Sequence, residues 1–246
     1  MIRIEGLGKV AGGTRILRGV SLEVEPRTVL GIIGPSGSGK TTLLRCMNGF
    51  ERITEGKLEA GGVRLDAGLG EKEYQRRVKL LRRQVGMVFQ HFYLFPHLSV
   101  LGNISEAPVH VLKRPRAEVE AEARGLLETV GLAKSAGRYP ESLSGGEQQR
   151  VAIVRALAMQ PEVLLFDEPT SALDPRRSNE LAGTLRGLVE RGQTMVIVTH
   201  SMKFLEDVAD RVLYVEAGEV VELGDTAQIL NDPQDPRTQD FIRHAD

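Results

Sequence analysis

The sequence predicts an α/β fold built on a mainly parallel β-sheet, and three observations carry that reading. First, Val29-Leu30-Gly31-Ile32-Ile33, Val163-Leu164-Leu165-Phe166 and Met195-Val196-Ile197-Val198-Thr199 are short, continuous apolar runs. Strands covered on both faces read this way, whereas half-exposed strands alternate. Second, helical patterns separate the runs. Residues 176–191 place Leu181, Leu185 and Leu188 on one face, with Gly192 as a stop. Third, a glycine-rich turn, Gly34-Pro35-Ser36-Gly37-Ser38-Gly39-Lys40-Thr41-Thr42, joins the first run to a helical Leu43-Leu44-Arg45-Cys46-Met47.

The rest of the chain is organised around that turn. Strand, G-x-x-x-x-G-K-T and helix in succession form a phosphate-binding loop of the Walker A type. Glycines let the backbone wrap round a polyphosphate with successive N–H groups pointing inward. The positive end of the following helix faces the same anion. Lys40 adds a full charge near the β- and γ-phosphates, and the Thr41 hydroxyl is placed to ligate Mg²⁺. The chain is therefore expected to bind a nucleoside triphosphate.

The remaining elements follow in order. Ile2 and Ile4, then Leu22 and Val24, alternate as strands joined through Gly12-Gly13. Gly56 to Leu65 reads as a hairpin turning at Gly61-Gly62. Residues 71–84 are polar and basic, with Arg76, Arg77, Lys79, Arg82 and Arg83 on a solvated helix, and Val85 to Gln90 forms another short buried strand. From residue 91 the character changes. His91-Phe92-Tyr93-Leu94-Phe95-Pro96 gathers much of the chain's scarce aromatic content, and 103–140 reads helical, with Leu126, Leu127 and Val130 on one stripe and Gly131 as a stop. Near the C-terminus, Val212 to Val215 and Val220-Val221 flank Ala217-Gly218 as a hairpin, and the Asp- and Pro-rich tail from Asn231 says little.

Composition bounds the function. A chain of 246 residues can bury a large core as one domain with a subdomain. A formal net charge of −1 gives no electrostatic reason for broad nucleic-acid binding. No apolar stretch approaches the roughly 18 residues needed to span a bilayer. Cys46 is the only cysteine and reads as a small packing residue, so a cytoplasmic location is expected.

In open α/β sheets, ligands bind beyond the carboxyl ends of the strands. Three strand ends here carry polar groups and should converge: the phosphate loop, Asp167-Glu168, and His200. Asp167 follows four apolar residues, as does the acid that holds Mg²⁺ beside such loops, and Glu168 is one step on, in reach of an attacking water. Leu143-Ser144-Gly145-Gly146-Glu147-Gln148-Gln149-Arg150 is a second feature. Ser144 caps a helix and Gly145-Gly146 leave its first N–H groups uncovered, a second anion site about a hundred residues from the first, although the bare pattern of Ser-Gly before a helix also reads as a plain helix cap.

Leu143 to Arg150 resembles the signature of ATP-binding cassette (ABC) ATPases, and the other family motifs appear in order: Gln90 in the Q-loop position, Ser171-Ala172-Leu173-Asp174 as the D-loop, and His200 as the switch histidine. The resemblance covers nearly the whole chain. It implies the P-loop ABC ATPase fold: a nucleotide-binding core over 1–90 and 161–230 with an N-terminal antiparallel β subdomain, a helical signature subdomain over 91–160, and a tail over 231–246. It also implies that two subunits pack head to tail, so that each ATP lies between one Walker loop and the other subunit's Ser144, Gly145 and Gly146. Asp174 then communicates across the interface, Gln90 approaches the metal and water, and Thr41, Asp167 and Gln90 surround Mg²⁺. Glu168 polarises water and His200 orients the γ-phosphate.

Val88 to Leu98, Ala156 to Pro161 and Thr199 to Met202 are similar to importer subunits for polar amino acids. That likeness implies a peripheral ATPase on the cytoplasmic face of the membrane, with permease subunits docked near Gln90–Leu98 and an extracytoplasmic solute-binding protein reached through them. Another small solute, or a non-transport ABC role, stays open. Two positions depart from the pattern. Ala11 stands where the family usually places an aromatic ring against adenine, and Glu147 stands where relatives often carry Gln.

Overall fold

Alternating burial along the first 24 residues produces a sheet rather than a helix. β1 (Ile2–Ala11) buries Ile2, Ile4 and Leu7, and β2 (Thr14–Val24) buries Leu17, Val20, Leu22 and Val24. They pair antiparallel across Gly12-Gly13, where φ is +57° and +79°. A two-residue turn of this hand needs positive φ at both positions, which glycine supplies without a Cβ clash. The hairpin expected at Gly61-Gly62 forms in the same way from β4 (Glu55–Ala60) and β5 (Val63–Asp66). The four strands make one sheet in the order β2-β1-β4-β5.

The second sheet contains β3 (Val29–Ile33), β6 (Val85–Val88), β7 (Val163–Asp167), β8 (Thr194–Val198), β9 (Arg211–Glu216) and β10 (Glu219–Asp225), in the order β10-β9-β3-β8-β7-β6. β3, β7 and β8 are buried along their whole length, as continuous apolar runs require. Every pairing is parallel except β10 with β9, because the two-residue Ala217-Gly218 turn can only bring a strand back antiparallel. One core lies between the two sheets and the helices α1 (Lys40–Met47) and α2 (Glu71–Gln84). A second lies on the opposite face, under α6 (Pro175–Glu190) and α7 (Met202–Val208). The structure is a computed structural model and describes residues 1–171 and 173–244.

Between β6 and β7 the chain forms α3 (Val100–His110), α4 (Arg116–Thr129) and α5 (Gly145–Leu157), whose shared core includes Val100, Ile104, Ala123, Leu127, Val151 and Val154. The single helical stretch expected over 103–140 is in fact two helices followed by short 3-10 turns at Ala133–Ser135 and Pro140–Ser142. The break falls at 111–115, where Pro115 becomes the cap of α4 because it has no N–H to extend a helix. α1 also begins earlier than expected, at Lys40 rather than Leu43, because Gly39 with φ +101° serves as its N-cap. α8 (Thr226–Asn231) leads into the tail, which is more ordered than its composition suggests: it forms α9 (Pro236–Arg243), whose Phe241 ring packs 5.1 Å from Tyr214. Residues 245 and 246 and Ala172 lie outside the described residues.

On α2, Arg76 and Arg77 both pair with Glu73, and the exposed cations face solvent. No helix among the described residues is long and apolar enough to cross a membrane. Cys46 is fully buried and burial pushes its thiol up to about 12, which makes it an inert packing residue as expected.

Two glycines separate strain from space. At Gly56 φ is +76° and an added Cβ would lie 2.3 Å from the Gly6 carbonyl oxygen, whereas Gly62, at φ +69°, has nothing within 4 Å. Gly62→Ala should cost about 1–2 kcal/mol, the left-handed penalty alone. Gly56→Ala should cost about 3 kcal/mol or more, because rigid backbone must also shift. Urea unfolding midpoints of the two variants measure the difference.

Candidate nucleotide site

The phosphate loop leaves β3 at Gly34, whose φ of +148° and whose neighbour forbid any side chain: a Cβ there would sit 2.0 Å from the Val215 carbonyl oxygen. Gly37 and Gly39 also have positive φ, at +79° and +101°. The loop is tied to the β9–β10 turn, which is itself tied to β2. The Gly218 N–H donates to the Ser38 carbonyl (3.0 Å), and the Arg18 N–H donates to the Gly218 carbonyl (2.8 Å). Ser36 and Gly37 are exposed, Pro35, Thr41 and Thr42 are half-buried, and Ser38 and Lys40 are buried.

Lys40 extends back along the loop, its Nζ donating to the carbonyls of Gly34 (2.8 Å) and Pro35 (2.9 Å). Burial lowers its pKa, and the nearby Glu168 and Asp167 carboxylates pull the other way. The Ser38 Oγ is buried and has no hydrogen-bond partner. A buried orphan hydroxyl inside a glycine cradle at the N-terminus of α1 fits a phosphate chain. The Thr41 Oγ1 donates to Asp167 Oδ1 (3.0 Å), and Asp167 is only 4% exposed. A hydroxyl and a carboxylate suit a hard cation that keeps phosphate and water oxygens as its other ligands, the usual manner of Mg²⁺.

The three polar strand ends do converge. Glu168 follows β7 with φ +49°, an uncommon conformation for a residue with a Cβ, and its N–H donates to the Val198 carbonyl of β8 (2.9 Å). His200, beyond β8, places Nε2 3.1 Å from Glu168 Oε1. Burial raises the Glu168 carboxyl above its ordinary range despite Lys40, and burial, then Lys40, lowers the His200 imidazole. Both members of the pair are thus pushed towards their neutral forms, and each can pass or hold a proton at the Glu168 Oε1 to His200 Nε2 contact.

Gln90 is exposed, and its Nε2 donates to Ser171 Oγ (3.1 Å), so the Q-loop side chain touches the start of the D-loop. Asp174 caps α6 by accepting from the Arg177 N–H (3.0 Å). Ser144 caps α5. Its Oγ accepts from the Glu147 N–H, and Glu147 Oε2 accepts from the Ser144 N–H at 2.8 Å. This capping box explains why the unusual Glu147 is accommodated: Arg138 pairs with its other oxygen at 2.9 Å and also donates to the Ser142 carbonyl. Among the described residues no hydrogen bond or ion pair joins Ser144, Gly145, Gly146 or Asp174 to Gly34–Thr42, Asp167, Glu168 or His200.

Sequence reasoning missed Arg45, whose guanidinium lies 3.5 Å from Asp167 Oδ2. The available signal was helical spacing, since Arg45 sits four residues after Thr41 on α1 and shares its face. It named Gln149 and Ser171 within motifs but missed their pairings with Pro169 and Gln90, which lie well away in sequence.

Residues 17–171 match the family of ABC transporters. The chain belongs to that family. It is 50% identical to the L-cystine transport system ATP-binding protein TcyN of Escherichia coli (strain K12) over 98% of this chain and 96% of that protein. It is 46% identical to the glutamine transport ATP-binding protein GlnQ of the same organism over the full length of both. Among solved structures it is similar to cbiO1 of Clostridium perfringens, part of the ABC transporter complex cbiONQ, with a TM-score of 0.84 and 28% identity over 94% of this chain and 90% of that one. It is also similar to the dimeric ATP-binding cassette MJ0796 bound to ADP and Pi, with a TM-score of 0.75 and 32% identity over 92% of this chain and 99% of that one. The ABC ATPase fold expected from the motifs is therefore the fold of this protein, and this chain is an ABC transporter ATPase.

The capping box has a measurable pH signature. The Glu147 carboxyl is held below its ordinary range, first by the Ser144 N–H and then by the Arg138 guanidinium. Because its folded pKa is depressed, its stabilisation is present above the unfolded carboxylate value and fades as pH falls towards the folded one. The thermal midpoint of the wild type should exceed that of Glu147→Ala by an amount equivalent to about 1 kcal/mol near neutral pH. The gap should narrow steadily below the ordinary glutamate pKa.

Proposed function

We propose that this ATPase powers uptake of a small solute, an amino acid above all, as one of two identical subunits that share their ATP sites head to tail. The observation that carries it is the separation of the two anion-ready helix starts. Among the described residues no hydrogen bond or ion pair joins the Walker loop to Ser144-Gly145-Gly146, so each offers half of a pocket. The cystine and glutamine systems named for the relatives favour an amino acid as cargo.

In this reading Gly34, Pro35, Ser36, Gly37, Ser38, Gly39, Lys40, Thr41 and Thr42 hold the triphosphate of ATP. Thr41 and Asp167, approached by Gln90, would hold Mg²⁺, which would supply neutralisation of phosphate charge. Glu168 takes the proton of the attacking water, and His200 holds Glu168 and the γ-phosphate in register. Ser144, Gly145 and Gly146 meet the neighbour's γ-phosphate, and Asp174 lies at the junction.

An exposed aromatic ladder gives the permease its docking surface. Phe50 and Phe89 stack edge to face at 5.7 Å, and Phe89 and Tyr93 do the same at 5.6 Å. Phe50, Tyr93 and Phe95 are 56%, 62% and 45% exposed, an apolar surface that a partner helix would cover. The protein then sits peripherally on the cytoplasmic face of the membrane and reaches a solute-binding protein only through the permease.

Glu168→Gln tests the shared site. It should bind ATP, lose at least about a hundredfold in turnover, and elute as a dimer with ATP and a monomer without it. Full activity in that variant removes Glu168 from its role, and a monomer at saturating ATP removes the shared pocket. The missing ring at Ala11 is a second handle. Ala11 is exposed, and the apolar side chains packed beside Gly39 are those of Leu17 and, a little farther off, Ile16. Calorimetry should find ATP and GTP bound within about tenfold of each other. Ala11→Tyr should strengthen ATP binding by roughly two- to tenfold, the worth of one aromatic stack.

A further inference from the structure

Helix α5 touches three working parts of the molecule. Its first turn carries Ser144-Gly145-Gly146. Its last turn carries Arg155, which donates to the carbonyls of Phe92 (2.6 Å) and Tyr93 (2.7 Å) under the aromatic ladder. Between them lies Gln149, 2% exposed, whose Nε2 donates to the Pro169 carbonyl at 2.5 Å. Pro169 is the residue after Glu168.

The segment that follows β7 is held from several sides. The Ser171 N–H and Oγ both donate to the Glu168 carbonyl (3.3 and 3.1 Å), and Thr170 Oγ1 lies 3.0 Å from Thr199 Oγ1, one residue before His200. Those bonds tie the loop to itself and to β8. Among the described residues, Gln149 to Pro169 is the one hydrogen bond between α5 and this segment. It is closed to solvent, so if α5 moves the carbonyl must follow or go unpaired in an apolar setting, where water cannot replace the donor. The left-handed Glu168 backbone makes the loop sensitive to such a pull, because its conformation persists only while its surroundings impose it.

We propose that Gln149 is a positioning residue that couples the signature helix to Glu168 of the same subunit. When the neighbour's triphosphate engages Ser144-Gly145-Gly146, α5 shifts and Gln149 carries the shift to the Glu168 loop. Each subunit's hydrolytic group thereby senses whether the other pocket is filled. The inference rests on the head-to-tail reading above and adds to it a route inside the chain. Gln149 touches neither ATP nor water, and its contribution is to the geometry of the group that does.

The test uses the full chain and Gln149→Met, which keeps the length and apolar packing of the side chain but has no donor. Gln149→Asn, one methylene short, serves as a second variant in case the first does not fold. Four quantities are measured: the Kd for ATP, the thermal midpoint, turnover against ATP concentration, and ATP-driven dimerisation in a Glu168→Gln background. Gln149→Met should keep the ATP Kd within about twofold and should still dimerise in that background. Its kcat should fall about tenfold, the kinetic equivalent of one hydrogen bond. Its Hill coefficient should drop from near the two-site limit of about 2 to about 1. Wild-type kcat and Hill coefficient in the variant overturn the coupling, as does a wild-type enzyme with a Hill coefficient of 1. A parallel fall of melting temperature, ATP affinity and kcat also overturns it, leaving Gln149 as a core residue. If Glu168→Gln with native Gln149 stays monomeric with ATP, the head-to-tail reading itself fails, a result separable from all the others.

Discussion

No side chain fits between Gly34 and the Val215 carbonyl, and the rest of the site depends on that closeness. The end of β3 runs hard against β9, so the loop must turn over the sheet edge on glycine backbone alone. Gly218 then ties the Ser38 carbonyl from the β9–β10 turn, and β2 ties Gly218 in its turn. The antiparallel sheet thus reaches the phosphate loop through the β9–β10 turn of the parallel one, in a single chain of hydrogen bonds. A loop held in this way needs no ordering when an anion arrives, and preorganised amides are most effective under that condition.

Burial works against the charge on three side chains at this centre. It lowers Lys40 and His200 and raises Glu168, while the Lys40 and Asp167 charges act on Glu168 in opposite senses. A pocket arranged like this gains from bringing a polyphosphate and a divalent cation together, since each relieves an imbalance the other leaves. Arg45 beside Asp167 is part of the same balance, a cation placed against the buried carboxylate from the helix that the loop itself initiates. α5 connects this centre to two surfaces, with Ser144 at one end and Arg155 under the aromatic ladder at the other.

Much of this was legible in the residues. The strand, glycine turn and helix around Gly34–Thr42 were readable because glycine positions, an apolar run and a lysine at fixed spacing are local facts. Asp167, Glu168 and His200 were readable because a residue after a buried strand in a parallel sheet has only one edge to emerge from. The break at Pro115 was legible in principle, yet periodicity on both sides of it concealed two helices as one. The order of α9 was not legible. Its Phe241 gains a partner only when Tyr214, far back in the chain, is brought beneath it.

What the sequence determined by itself is the set of local devices: the left-handed turns, the caps, the buried strands and the two anion-ready helix starts, each dictated within a few residues by φ preference and hydrogen-bonding groups. Only the tertiary structure decided which of them meet. It paired Thr41 with Asp167, Glu168 with His200 and Gln149 with Pro169, and it left Ser144 unjoined to the loop. Those choices depend on strand order and on how α5 packs, and such long-range burial carries no signature in any short stretch of chain.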